Sequence, residues 1–97
     1  MTRVVLLAAA AEEADAAEAW YFERDSEVAA RFRTALGTAV AQISEAPERW
    51  SISKGGVRRL HFDGFPYTVH YRVDPNEVVV VAVAHQHRRP GYWRARQ

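Results

Sequence analysis

The side chains that could do chemistry in this 97-residue chain lie mainly in its C-terminal half. Residues 51–97 hold eight of the thirteen lysines and arginines, three of the twelve acidic residues and all four histidines. Arginine binds phosphate groups through paired hydrogen bonds, and histidine changes its charge near neutral pH. This split indicates a polyanionic partner, such as a nucleic acid or an acidic protein. The alternative is that it reflects only the surfaces of the elements, because helix surfaces favour glutamate while sheet surfaces tolerate arginine.

Two histidines, His85 and His87, are candidates for metal binding or for acid–base catalysis. Alternate residues of a strand share one face, but two ligands are too few for a structural metal, and no cysteine or suitably spaced carboxylate completes the set. We therefore expect no metal and no cofactor. Acid–base catalysis stays open for either histidine, as does a role in packing or hydrogen bonding at a strand end.

The segment that follows, residues 88–94, reads RRPGYWR and mixes cations with flat rings. Its arginines suit phosphate contacts and its rings suit base stacking, so RNA binding has a mechanism. The same residue types are common anchors of protein interfaces. A third interpretation is a segment that folds back over the core, and we favour it for Trp93, with the arginines left for a partner.

The N-terminal half predicts a short strand and two helices that position these residues. Residues Arg3–Leu7 are β-branched and leucine-rich, which favours a strand. Alanine and glutamate dominate from about Ala10 to Arg24, which favours a helix. Its acidic residues Glu12, Glu13 and Asp15 are expected in the first turns, where the helix dipole favours anions.

A second helix is predicted to begin at an N-cap formed by Asp25 or Ser26 and to end before Pro47. Apolar residues recur in it at three- and four-residue spacing: Val28, Phe32, Ala35, Leu36, Ala39, Val40 and Ile43. The short connection between the two helices predicts an antiparallel helical hairpin.

Three further strands are predicted at 57–62, 67–73 and from 78 to 84 or slightly beyond, joined by turns with suitable chemistry at 63–66 and 74–77. The order is β-α-α-β-β-β, an α+β fold in which an antiparallel sheet packs against the helical hairpin. The length predicts a single domain over residues 1–97.

The alternation along these strands predicts which side chains face the helices. Tyr67, Val69 and Tyr71 are expected to face inward with Leu60 and Phe62. The opposite face then carries Arg59, His61, Thr68, His70 and Arg72. That face is either an anion platform or an ordinary solvated sheet surface. The last strand is apolar in both registers, as expected of a central strand, so its own facing stays open.

The composition of the chain indicates the cellular compartment in which it works. Cysteine is absent, which excludes disulfides and thiol catalysis. The apolar run at residues 4–11 leads directly into an acidic helix and is brief for a signal peptide, and nothing approaches the ~20 apolar residues of a membrane span. We expect a cytoplasmic protein that does not contact a membrane.

With the helical hairpin before them, four segments carry a resemblance to a known family: GVRRL at 56–60, FPYTVHYRV at 65–73, EVVVVAVAHQ at 77–86 and RRPGYW at 88–93. Together they resemble toxins of the RelE/ParE superfamily, from bacterial type II toxin–antitoxin systems. The resemblance implies a cognate antitoxin that wraps the toxin in a hetero-oligomer, and contact with operator DNA only through that antitoxin.

The superfamily has two branches, and this chain resembles the ParE-like branch more. The RelE-like branch cuts mRNA on the ribosome. Arg59 and His61 match its basic positions and Tyr92 its tyrosine, but Thr68 and Gln86 stand where it has arginines. Loss of both charges removes much of the stabilisation that a phosphorane needs.

The ParE-like branch inhibits DNA gyrase without being a nuclease, so gyrase is the expected target. The residues expected to contact it are Arg58, Arg59, Arg88, Arg89 and Tyr92. The first alternative is a ribosome-dependent mRNA endonuclease that uses Arg59, His61, His85, His87 and Tyr92. The second is an inactive module that only binds an antitoxin.

Overall fold

The fold follows the predicted order of one strand, two helices and three strands. The computed structural model describes residues 1–97 apart from the side chain of Lys54. The elements are β1 (Val4–Leu6), α1 (Ala8–Arg24), α2 (Ser26–Glu45), β2 (Val57–His61), β3 (Tyr67–Val73) and β4 (Val78–His85). The α+β class and the β-α-α-β-β-β order are confirmed. No helix in the described part of the chain is both long and apolar enough to cross a membrane.

The two helices form the expected hairpin around a single connecting residue, Asp25. Its side chain caps α2 by accepting a hydrogen bond of 2.9 Å from the backbone N–H of Glu27, which confirms the predicted cap. α2 ends at Glu45, before Pro47, also as predicted. α1 begins at Ala8 and has no acidic residue in its first turn, so the expected dipole role of Glu12, Glu13 and Asp15 is wrong.

The sheet has the strand order β1-β4-β3-β2. β2, β3 and β4 form the predicted antiparallel meander, and β1 runs parallel to β4 from Val4↔Val78 to Leu6↔Val80. The sheet is therefore mixed. β4 lies between β1 and β3, which explains why its side chains are apolar on both faces.

A β-bulge in β4 sets the facing that the sequence left open. His70 pairs with Ala82 and Tyr71 with Val80, so Val81 is an extra residue on β4. The bulge shifts the alternation by one position. Val78, Val80 and Val83 pack on the helix side, and Val79, Val81 and Ala82 pack on the opposite side.

Both faces of the sheet carry a core. The larger lies under the helices and includes Phe32, Ile43, Phe62, Val69 and Tyr71. The smaller lies on the opposite face and consists of Val57, Val79, Val81, Ala82 and Trp93, with Val5, Leu7 and Tyr92 packed against it. The face expected to be an open platform or a solvated surface is thus partly covered by residues 86–97, here called the tail.

Candidate functional site

The tail is held to the sheet by Trp93. Its side chain is 5% exposed and stacks on the imidazole of His70, with ring centroids 4.9 Å apart and planes inclined by 30°. This confirms that Trp93 folds back over the core. His70, expected on an open face, instead lies under an indole ring.

The protonation of His70 reports on this environment. Burial, together with the nearby Arg59 guanidinium, lowers the pKa of His70 to about 4, against a smaller opposing effect of the Glu13 carboxylate. The imidazole is therefore neutral at pH 7. A neutral ring can stack under Trp93 without the desolvation of a charge.

The carboxylate of Glu13 on α1 is the second anchor of the tail. Its Oε1 accepts a bond of 2.9 Å from Arg96 Nη1, and its Oε2 accepts bonds of 2.6 Å from the Tyr92 hydroxyl and 3.0 Å from Arg96 Nη2. Oε1 also accepts the backbone N–H of Val83 at 3.0 Å, while Arg96 donates to the Val81 carbonyl at 3.1 Å. Glu13 and Arg96 thus form hydrogen bonds with the Val83 N–H and the Val81 carbonyl of β4, at positions past the last residue of β4 that pairs with β1.

These hydrogen bonds shift the pKa values of Glu13 and Tyr92. Burial raises the pKa of Glu13, but the hydrogen bonds from Arg96, Tyr92 and Val83 outweigh it and hold the pKa below its usual value. Burial and the hydrogen bond to Glu13 raise the pKa of Tyr92 to about 12. The Tyr92 hydroxyl is therefore a committed donor to Glu13 at neutral pH.

The tail and the sheet enclose a cavity of about 290 Å³, here called the tail cavity. Four arginines line it: Arg59, Arg88, Arg89 and Arg94. Its remaining lining includes Thr68, His70, Gln86 and Trp93. No aspartate or glutamate is among the described residues that line it. The tail cavity is therefore a cationic site that offers hydrogen-bond donors.

Arg59, Arg88 and Arg89 are brought together in the tail cavity, but two other predicted contact residues are not free. Arg58 lies on the helix side of β2 and donates to the carbonyls of Glu48 at 3.2 Å and Trp50 at 2.7 Å. The ring of Tyr92 lies beneath the guanidinium groups of Arg88, at 3.8 Å, and Arg96, at 5.1 Å. Both side chains stabilise the fold around the site.

The structure brings together some of the nuclease candidates. His85 lines the tail cavity with Arg59 and Tyr92; its ring packs on Tyr67 at 5.1 Å, and its Nδ1 accepts the backbone N–H of His87 at 3.0 Å. His61, in contrast, lies 3.2 Å from the Thr68 hydroxyl and lines a different cavity, against α2.

Two residues that shape the site were not predicted: Glu13 and Arg96. Glu13 and Arg96 are 83 residues apart in sequence, and Glu13 stands among several acidic residues of a surface helix. No local spacing links them. The one feature of the sequence that could have indicated this pair is the opposite charge of the two halves. It is compatible with attraction between the halves, but it was interpreted as a sign of a partner.

A second cavity, about 600 Å³ in volume, lies between α1 and the end of β4. Its wall is largely apolar and includes Ala16, Ala17, Trp20, Tyr67 and Val83. Glu13 and Arg88 lie at its border with the tail. We call it the α1 groove.

The chain is similar to toxins of one family in both sequence and fold. The model of a family described as the ParE toxin of the type II toxin–antitoxin system parDE matches residues 4–90. A solved structure of the chromosomal ParDE toxin–antitoxin system from P. aeruginosa superposes with a TM-score of 0.76, covering 88% of this chain and 96% of that chain at 20% sequence identity. No curated protein sequence matches the chain.

Proposed function

Because the chain belongs to the ParE toxin family of type II toxin–antitoxin systems, we propose that it inhibits DNA gyrase and is neutralised by a cognate antitoxin. Residues 1–97 act as one toxin domain in the cytoplasm, where gyrase works. Arg59, Arg88 and Arg89 contact the target. The observation that carries this proposal is a family match over residues 4–90 combined with a cationic cavity built from those arginines.

The geometry favours gyrase inhibition over mRNA cleavage. In-line attack by a ribose hydroxyl needs a base, a stabilised phosphorane and help for the leaving group. Tyr92 is bound to Glu13, and its pKa is raised to about 12. Thr68 and Gln86 line the tail cavity where arginines would be needed. Of the nuclease candidates that line the cavity, His85 remains as a base, but Tyr92 is not available as a second acid–base group.

We place a segment of the antitoxin in the α1 groove. The groove offers an apolar wall next to an indole ring, Trp20, that is half exposed. An amphipathic segment buries apolar side chains in such a groove. Its position beside Arg88 would bring the antitoxin to the border of the tail cavity, which explains how binding blocks the target surface.

The experiment is a gyrase supercoiling assay with purified toxin, with and without the antitoxin encoded beside it. We expect inhibition at toxin excess and recovery on addition of antitoxin. The double variant Arg59→Gln/Arg89→Gln should inhibit at least tenfold less. Arg31→Gln, an exposed arginine on α2, is the matched control and should inhibit like the parent.

Unaffected gyrase at toxin excess would refute the proposal. Ribosome-phased cuts in mRNA after toxin induction would favour the nuclease instead. Normal growth on expression without antitoxin would identify an inactive module that only binds its antitoxin.

A further inference from the structure

The aromatic side chains of the tail are already engaged within the molecule. Trp93 is buried against His70, and Tyr92 lies beneath two guanidinium groups while its hydroxyl donates to Glu13. Base stacking needs an exposed ring face. Neither Trp93 nor Tyr92 therefore has a free ring face to offer to a nucleobase.

Three of the cations, in contrast, remain free for a ligand. Arg59, Arg89 and Arg94 are exposed, and none forms an ion pair within 4.0 Å in the part of the chain that the structure describes. Arg88 is partly compensated, because its Nη1 lies 4.0 Å from Glu13. The cavity thus presents three uncompensated guanidinium groups.

The fold places two of these residues. Arg59 stands on β2, where its backbone pairs with His70 of β3. Arg94 packs on Gly91, where an added Cβ would lie 1.9 Å from its Nη1 and where the backbone has φ +77°. The Arg94 guanidinium is therefore already placed before a ligand binds, which lowers the cost of ordering it.

The cavity lining carries positive charge from its four arginines, and no carboxylate is among the described residues that line it. Arg59 contributes to the lowering of the pKa of His70, although burial is the main cause and Glu13, outside the lining, acts in the opposite direction. A ligand must therefore bring negative charge.

We propose that the tail cavity binds the phosphodiester backbone of DNA through Arg59, Arg89 and Arg94, without reading bases. The site offers guanidinium, hydroxyl and amide donors, and no carboxylate is among the described residues that line it. Such a site suits phosphates, and phosphate contacts carry no sequence information. This inference rests on the proposed gyrase inhibition, because gyrase acts on DNA that it holds. In the complex of gyrase with DNA, the toxin would then bind the DNA backbone as well as the gyrase protein.

Binding of this kind has a defined salt dependence. Release of counterions by three phosphate contacts gives a slope of log K against log salt of about −2.7 for duplex DNA. Loss of one arginine should weaken binding several-fold and reduce the slope by about one, equally for every sequence.

The test is fluorescence anisotropy with the purified full-length toxin and two labelled DNA duplexes of unrelated sequence. We expect equal affinity for both duplexes and the slope given above. Arg59→Gln, Arg89→Gln and Arg94→Gln should each reduce the slope by about one, whereas Arg31→Gln should leave it unchanged. Thermal unfolding of each variant verifies that the fold is intact, and any one folded variant suffices for the comparison.

Several outcomes would overturn the inference: no binding at low salt, slopes that the three variants leave unchanged, a strong difference between the two DNA sequences, tighter binding of duplex RNA, or equal competition by polyglutamate. The assay contains no gyrase, so it fails separately from the proposed function. DNA binding without gyrase inhibition would refute the function and leave the site. Gyrase inhibition by variants that no longer bind DNA would show that this DNA contact plays no part in inhibition, and would leave the function.

Discussion

Glu13 is the residue on which the arrangement of the tail depends. Its carboxylate, on α1, accepts four hydrogen bonds: one from the backbone N–H of Val83 in β4 and three from Tyr92 and Arg96 of the tail. Its side chain is 15% exposed, so these bonds are sheltered from water. A sheltered carboxylate with four donors favours its charged form, and its removal leaves those donors unpaired.

We expect Glu13→Gln to lower the free energy of unfolding by roughly 2 kcal/mol, because hydrogen bonds to charged groups contribute about 1.5–3 kcal/mol. Urea denaturation measures the loss. Hydrogen exchange should show faster exchange at the Val83 amide, which Glu13 accepts in the parent.

Glu12→Gln is the matched control, since Glu12 is the exposed neighbour on the same helix. Equal losses in the two variants would show that the Glu13 network does not stabilise the tail.

His70 makes stability depend on pH. Its pKa falls from 6.5 to about 4 on folding, so the unfolded chain binds more protons than the folded chain between those values. The contribution is complete above pH 6.5 and is lost as the pH falls toward 4. We expect a loss of roughly 2 kcal/mol between neutral pH and about pH 5, measured by urea denaturation.

His70→Gln should be less stable at pH 7, because the stack under Trp93 is gone, yet nearly flat across that window. His87→Gln replaces an exposed histidine and should keep the slope of the parent. A slope that persists in His70→Gln would assign the pH dependence to other groups.

At the scale of elements, the helical hairpin and the meander were predicted well, and the bulge was not. The caps, the Pro47 stop and the alternation of β3 are local signals, because each depends on neighbours within a few residues. β4 has valine or alanine at every position from 78 to 84, so a shift by one residue is invisible in its sequence. Only its pairing with β3 reveals that Val81 is extra.

The packing of the hairpin on the sheet depends on Phe32. Its ring, 1% exposed, contacts Tyr21, Phe62, Phe65 and Tyr67 at centroid distances of 5.2 to 5.5 Å. We expect Phe32→Ala to cost about 3–5 kcal/mol, because it removes buried surface and leaves a cavity. Chemical denaturation of the purified chain checks this.

Phe22→Ala on α1 is the control, because Phe22 is 64% exposed and its loss should change stability by less than about 0.5 kcal/mol. A comparable loss at both positions would mean that Phe32 is not a core residue.

At the scale of the whole molecule, the opposite charges of the two halves meet within the fold. Glu13 of the acidic half pairs with Arg96 of the basic half, while Arg59, Arg89 and Arg94 remain directed to solvent. Part of the basic character thus stabilises the tail, and the rest is available to a partner. Folding and toxicity should therefore be separable by mutation.

We expect the triple variant Arg59→Gln/Arg89→Gln/Arg94→Gln to keep its melting temperature within a few degrees, because its three side chains are exposed. The same variant should lose growth arrest when it is expressed without antitoxin. Melting curves and growth curves measured side by side test this. Growth arrest at the parental level would exclude these arginines from target contact.

The sequence by itself determined the class and order of the elements, the inward faces of β2 and β3, and the resemblance to ParE toxins. These features depend on periodicity, caps and motifs, which act over a few residues. The tertiary structure decided which cations are free. Arg58 and Arg96 are held by carbonyls and a carboxylate, and Arg59, Arg89 and Arg94 are not. A side chain's availability depends on partners brought from distant positions, and those are fixed only when the tail folds onto α1 and β4.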